Sequence, residues 1–340
     1  MLMPKRIVDA FFVLLGLGFS AKLLIEYNLA AIWGDLCRVG WHAGWLLLLW
    51  ALMVTADTAT WHYSLGDAKG RVGFLTLGLL TLAGQAVNNV TPSANVGELV
   101  KGRYLAQDIG TSASVSGLVI YNFMYALVSA LMVSAGAVCS LFISTVPGYV
   151  VALLLISAAV VCAYVLLLLV VLRGGLSEKI VRFLKRLRLP IRNHERWIQG
   201  ARRVDLALRE FATKHPQDLL ATFILVVASR LISVLEVWVI CKALRRPVGL
   251  EMAFFIMAVS QLVSWVFALV PSQIGVAEQG SEALFRVMAY QPGMGFTFEL
   301  VRRARRLFQV ALGLIILLYL SLRERHTLLE AAPAPVPPCP

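Results

Sequence analysis

Residues 85–108 read QAVNNVTPSANVGELVKGRYLAQD, beginning within the end of an apolar run, 72–91, that taken alone resembles an ordinary membrane span. Asn88, Asn89, Pro92 and Gly97 break the helix. Glu98, Lys101, Arg103 and Asp108 then make the following stretch unfit to face lipid. Irregular backbone at membrane depth is tolerated only where protein or a wet cavity surrounds it. A re-entrant hairpin over 72–108, entering and leaving by the same face, satisfies both conditions.

The rest of the chain sets this hairpin in a membrane. Of its 340 residues, 59% are hydrophobic and only 15% charged. The mean hydropathy is +0.78. Soluble domains run about 45–50% apolar and about 25% charged, so the excess apolar surface must face lipid. Apolar segments lie at 7–27, 41–64, 72–91, 114–140, 148–172, 217–242, 250–270 and 304–322. Each is close to the ~20 residues that carry a helix across the hydrocarbon. Lys5, Arg6 and the first apolar run could suggest a secretory signal, but Asp9 and the spans that follow favour an uncleaved first span. Five scattered cysteines have neither disulfide nor metal spacing, and no cofactor is expected.

Charge fixes the orientation. The stretch 173–214 carries a net +8 of the chain's +12. Basic residues gathered between two apolar runs mark a cytoplasmic loop, and Lys5 and Arg6 place the N-terminus on the same side. No nucleic-acid motif accompanies the basic charge. Five ordinary crossings before residue 173 would put that loop outside, so one segment must fail to cross. The hairpin restores the parity.

The same grammar returns in LVPSQIGVAEQGSEALFRVMAY, residues 269–290. Pro271 answers Pro92, Gly275 and Glu278 answer Gly97 and Glu98, and Arg286 answers Lys101 or Arg103. Each half reads as span, span, re-entrant hairpin, span. Three crossings per half is odd, so the second copy must be inverted, as in secondary transporters with broken helices near the midplane. The expected fold is an all-α polytopic membrane protein, an inverted repeat of six full spans and two re-entrant hairpins. Residues 1–140 form the first repeat with hairpin 72–108, and 141–172 begin the second. Residues 173–216 are the basic cytoplasmic loop, and 217–323 complete the second repeat with hairpin 250–291. The Pro-rich 324–340 is expected to form neither helix nor core.

NNVTPSANVGELVK (88–101), PSQIGVAE (271–278) and LVRRARRLFQVALGL (300–314) resemble the flippase-like transmembrane domain of lysylphosphatidylglycerol synthases. That bacterial family of multi-pass proteins has a branch associated with hopanoid biosynthesis. The resemblance spans the chain apart from its Pro-rich tail. It puts Asn88, Pro92, Gly97, Glu98 and Lys101 on the family's first motif. Pro271, Gly275 and Glu278 fall on the second, and Arg302 or Arg303 on the last-span arginine. Two departures stand out: Lys101 where arginine is common, and Ser272-Gln273 in place of small glycines. The resemblance implies movement of a lipid or lipid-linked anion between leaflets of the bacterial inner membrane. The aminoacyl-transfer domain of the full synthases has no counterpart before Pro340, so synthesis is not expected.

Elementary chemistry agrees with an anion. Helices starting after Pro92 and Pro271 would point positive dipole ends into the protein, where phosphates bind. Lys101, Arg103, Arg286, Arg302 and Arg303 could add full charges, and arginine grips phosphate through two parallel hydrogen bonds. Glu98 and Glu278 must be paired, hydrated or protonated at that depth, which suits either holding a base in place or carrying a proton. Arg230 on the sixth segment is a secondary candidate, and Glu236 six residues on does not share its face. The expected partner is a membrane lipid with an anionic headgroup. The alternative is a non-transporting membrane partner of a hopanoid or phospholipid biosynthesis enzyme. A third class, an integral-membrane enzyme, lacks a nucleophile or metal constellation, and no nucleotide loop offers ATP as a drive.

Overall fold

The computed structural model describes residues 39–91, 96–143, 146–174, 206–267, 273 and 275–330. The first apolar run, Pro92, Pro271 and most of the 173–216 loop lie outside the described residues. Among the described residues the secondary structure is entirely helical.

Polar residues enter the apolar helices because the helices themselves satisfy them. In α1, His42–Ser64, the hydroxyls of Thr55, Thr58 and Thr60 donate to carbonyls one turn back, at Ala51, Val54 and Ala56. Lipid offers no alternative partner, so these back-bonds keep the TADTATW stretch helical. A short 3-10 turn, Gly66–Arg71, leads to α2, Phe74–Val90. That helix stops at the Asn-Asn-Val-Thr run, where the Thr91 hydroxyl closes it by donating to the Val87 carbonyl.

The returning arm is α3, Val96–Ile109, followed by α4, Thr111–Cys139, and α5, Gly148–Gly174. The second half runs through α6, Pro216–Ala243, α7, Leu250–Val266, α8, Val276–Val287, and α9, Met294–Glu330. Proline opens α6, where a missing N–H costs nothing. Helix α9 continues to Glu330, inside the 324–340 stretch expected to form no helix. The helix-breaking composition begins only with AAPAP at 331.

Against the six spans expected, three described helices are both long and apolar enough to cross a membrane: α1, α4 with the turn to Phe142, and α6. Helices α2 and α7 are 17 residues each. At ~1.5 Å per residue that is about 25 Å, short of the ~30 Å hydrocarbon. Helix α9 is long enough, but its first half carries Arg302, Arg303, Arg305 and Arg306. Large apolar side chains such as Leu75, Phe142, Val160 and Ile315 lie exposed on the outer faces.

The two halves interlock. Helix α1 packs on α6 more extensively than any other described pair, while α2 packs on α9 and α4 on α7. Small residues permit both of the latter crossings. A Cβ on Gly313 of α9 would lie 2.5 Å from Ala86 Cβ of α2, and one on Gly136 of α4 would lie 2.2 Å from Ala258 Cβ of α7. Without a hydrophobic force between helices in lipid, such close approach supplies the dispersion energy that holds them.

Candidate functional site

The hairpin signals become two polar clusters, one in each half. In the first, Asn88 at the end of α2 accepts the Gly97 N–H on its Oδ1 at 2.7 Å and donates Nδ2 to Glu98 Oε1 at 3.4 Å. Glu98 also meets Lys101 Nζ at 2.9 Å, one turn on along α3. Lys101 is 2% exposed, with its ammonium 5.5 Å from the Trp61 ring and 5.1 Å from the Tyr121 ring. Its stem lies across Gly84, where a Cβ would come within 2.5 Å of Lys101 Cε. A Cβ on Gly97 would fall 2.0 Å from the Gly84 carbonyl oxygen, so α2 and α3 touch through two glycines. The ammonium of this cluster is buried, while Glu98 keeps 17% of its side chain exposed.

The second cluster is open. Gly275, at φ +81°, starts α8, and its N–H donates to Glu278 Oε2 at 2.8 Å. Glu278 pairs with Arg303 of α9 at 2.5 Å. One turn along α8, Ser281 donates to Glu299, which also holds Arg302 and Arg306 at 2.9 Å each. Arg305 meets Glu236 of α6 at 2.5 Å. Glu299, Arg302, Arg305 and Arg306 line a cavity of about 160 Å³ together with Ser260, Ser264 and Ser281, while Glu278, Arg303 and Glu236 lie outside its lining. The Arg302 Nε and Ser260 Oγ atoms are buried without a hydrogen-bond partner among the described residues.

The expected site residues therefore divide. Asn88, Gly97, Glu98 and Lys101 come together, and so do Gly275, Glu278, Arg302 and Arg303, but in separate clusters. The lining of the cavity comes from α7, α8, α9 and Gln273, with nothing from 88–103. Arg103 is exposed, because it falls on the outer face of α3. Arg286 is exposed too and pairs within α8 to Glu282 at 2.9 Å. The Gly97 and Gly275 N–H groups at the starts of α3 and α8 are taken by Asn88 and Glu278, so anion chemistry here rests on arginine.

A third group centres on Asp57, which sequence reading passes over, and on Arg230, its secondary candidate. Asp57 of α1 is 8% exposed. It accepts the Tyr125 hydroxyl from α4, Ser229 Oγ of α6 at 2.7 Å and Gln85 Nε2 of α2 at 3.1 Å. Arg230, one residue along α6, reaches Gln261 of α7 at 3.0 Å and Ser129 of α4 at 2.6 Å, with its guanidinium 4.9 Å from the Tyr125 ring. An acid amid a long apolar run was the signal available for Asp57. Its partners lie too far along the chain to be inferred.

These features define an all-helical membrane protein with buried acid–base clusters in both halves. Residues 7–313 match the family described as Lysylphosphatidylglycerol synthase TM region, and the chain belongs to that family. Its setting is thus the membrane, in a lipid-related role. Neither the curated proteins nor the solved structures contain a match.

Proposed function

We propose that this chain moves an anionic lipid headgroup between the leaflets of the bacterial inner membrane, with the arginine cavity of the second half as its binding site and no covalent bond made or broken. One observation carries the reading: among the described residues the only acids paired with Arg302, Arg303, Arg305 and Arg306 are Glu236, Glu278 and Glu299, which leaves one positive charge unbalanced beside an open cavity. An uncompensated charge at membrane depth is costly, and ionisable groups are kept there for function. A phosphodiester supplies one negative charge and the acceptor oxygens that arginine bonds most strongly. The acyl tails stay in lipid, so only the headgroup needs a site.

The pairing of α1 with α6, and of α2 with α9 as α4 with α7, supports an inverted repeat. The shortness of α2 and α7 supports re-entrant arms. In that arrangement the N-terminus and the 173–216 loop are cytoplasmic. The test is a leaflet-resolved assay of a fluorescent anionic phospholipid in vesicles holding the purified protein. Movement above empty vesicles that falls when Arg306 is replaced by Gln is expected. Equal movement with and without protein would overturn the reading and favour a non-transporting partner of a lipid-biosynthesis enzyme.

A further inference from the structure

We propose that Asp57 is a proton-binding site coupled to the arginine cavity through a directional chain of amides; the coupling rests on the transport reading above. Among the described residues, each other buried carboxylate is ion-paired: Asp218 with Lys69, Glu236 with Arg305, Glu278 with Arg303, Glu282 with Arg286, and Glu299 with Arg302 and Arg306. Asp57 instead faces two hydroxyls and an amide. A proton on this carboxyl removes a charge from a depth where charge is costly, with every hydrogen bond still available.

The groups around it leave that role open. From α4 come Tyr125, bonded to Asp57, and Tyr121 stacked beside it. From α6 comes Arg230, which spends its hydrogen bonds on Gln261 and Ser129. From α3 comes Lys101, held by Glu98. The 3-10 turn carries Asp67, Lys69 and Arg71 beyond the end of α1, with Lys69 held by Asp218. Helix α2 presents only the neutral Gln85.

Gln85 links Asp57 to the cavity. Arg305 NH1 donates to Gln309 Oε1 at 3.4 Å, Gln309 Nε2 donates to Gln85 Oε1 at 2.7 Å, and Gln85 Nε2 donates to Asp57 Oδ2 at 3.1 Å. Every bond points the same way. Arginine can only donate and an ionised carboxylate can only accept, so the two ends fix the direction of both amides. Once Asp57 carries a proton it can donate, and its end no longer fixes the chain. A reversed chain would turn an amide N–H toward Arg305, donor against donor, and free its NH1 for the cavity while Nε stays with Glu236. An anion that engages Arg305 therefore favours the protonated acid, and by linkage the proton favours the anion. One proton taken up from water on one face, carried with one anion and released to water on the other, balances in charge and atoms.

Two measurements on the purified full chain test this. Infrared spectra should show the carbonyl stretch of a neutral carboxyl group that titrates with pH, grows when glycerol phosphate is added, and is absent in Asp57→Asn. Gln309→Leu leaves Asp57 in place and should keep the band but lose its response to glycerol phosphate. A missing band, or one unchanged in Asp57→Asn, overturns the proton site whatever the protein transports. In phosphatidylcholine vesicles with a trace of fluorescent phosphatidylglycerol, an imposed pH gradient should accelerate the wild type and not Asp57→Asn. A variant that responds like the wild type overturns the coupling and leaves transport standing. Wild-type vesicles that move no lipid overturn the coupling together with the transport reading, and the infrared result then decides the proton site alone.

Discussion

The two hairpin clusters begin from the same sequence grammar and end as opposite kinds of structure. In the first half the base, Lys101, sits on the returning arm itself, three residues after its acid, and the pair closes under Trp61 and Tyr121. In the second, the base that meets Glu278 comes from the next helix, as Arg303 of α9. A salt bridge within one helix can be sealed by its neighbours. One between two helices ties α8 to α9, and the neighbouring Arg302, Arg305 and Arg306 line a cavity beside it. On the transport reading, the first half would serve as a joint and the second as the site.

The largest effect expected from this contrast is on stability. Replacing Glu299 by Gln removes the carboxylate shared by Arg302 and Arg306 and leaves two buried cations facing an amide. Breaking a buried ion pair from one side costs about 3–5 kcal/mol. Heating the detergent-solubilised protein and following the monodisperse fraction should show a loss of Tm far greater than for Lys101→Met. In that variant Glu98 keeps the amides of Asn88 and Asn122 as donors. An equal loss for both would mean that the first cluster also carries the fold's central charges.

The glycines give a second test. Gly97→Ala drives a methyl into the Gly84 carbonyl, a backbone atom that cannot step aside, and overpacking of this kind costs about 1–3 kcal/mol. Gly280→Ala in the second half meets only Val263 Cγ1, at 3.1 Å, beside the cavity. Its Tm should stay close to the wild type. Should Gly280→Ala prove as harmful, the second hairpin would be packed as tightly as the first.

Much of this was legible in the chain, though unevenly. The break between α2 and α3 was, because helix breakers and acids inside apolar runs have few physical readings: α2 ends at Val90 and α3 begins at Val96, around the Asn-Pro signal. The pairing of Glu98 with Lys101 was legible as well, since the two lie one turn apart. Arg103 and Arg286 misled because charge was read without helix face, and both fall on the outer side of a short amphipathic arm. The contacts that connect the halves were out of reach. Gln309 bonds Gln85 from 224 residues away, and Ser229 bonds Asp57 from 172. No periodicity records a meeting set by how helices cross. The spacing of Arg230 and Glu236 was read correctly: they point to different neighbours, Gln261 and Arg305.

Lipid movement should separate the halves by function. Arg306→Gln removes one charge-assisted donor from the cavity, and such bonds are worth about 1.5–3 kcal/mol. At ~1.4 kcal/mol per factor of ten, that predicts roughly a tenfold to hundredfold weaker hold on the headgroup. Lys101→Met, in the first cluster, where the ammonium is buried, should leave the rate near the wild type in the same vesicles. A collapse in transport for Lys101→Met, with folding intact, would put the headgroup between the clusters instead of within the second.

The smallest effect concerns the two bases that belong to the hairpin grammar but to neither cluster. Arg286 has half of its side chain in the open, and its partner Glu282 keeps the backbone N–H groups of Gly293 at 2.9 Å and Phe296 at 3.2 Å when the guanidinium is gone. Glu282 is itself buried, but with Arg286 half exposed and two backbone donors left on the carboxylate, the loss should stay under about 1 kcal/mol. Arg103 is likewise exposed, on the outer face of α3. Arg103→Ala and Arg286→Ala should therefore leave Tm and the rate of lipid movement unchanged within error. The comparison is sharpest here, since both residues are bases that follow a hairpin acid as Lys101 does, but lie on the exposed side of their helices. If either substitution slows transport without lowering Tm, the headgroup touches the outer face of a hairpin on its way in, and its path begins at the lipid-facing surface before it reaches the arginines of α9.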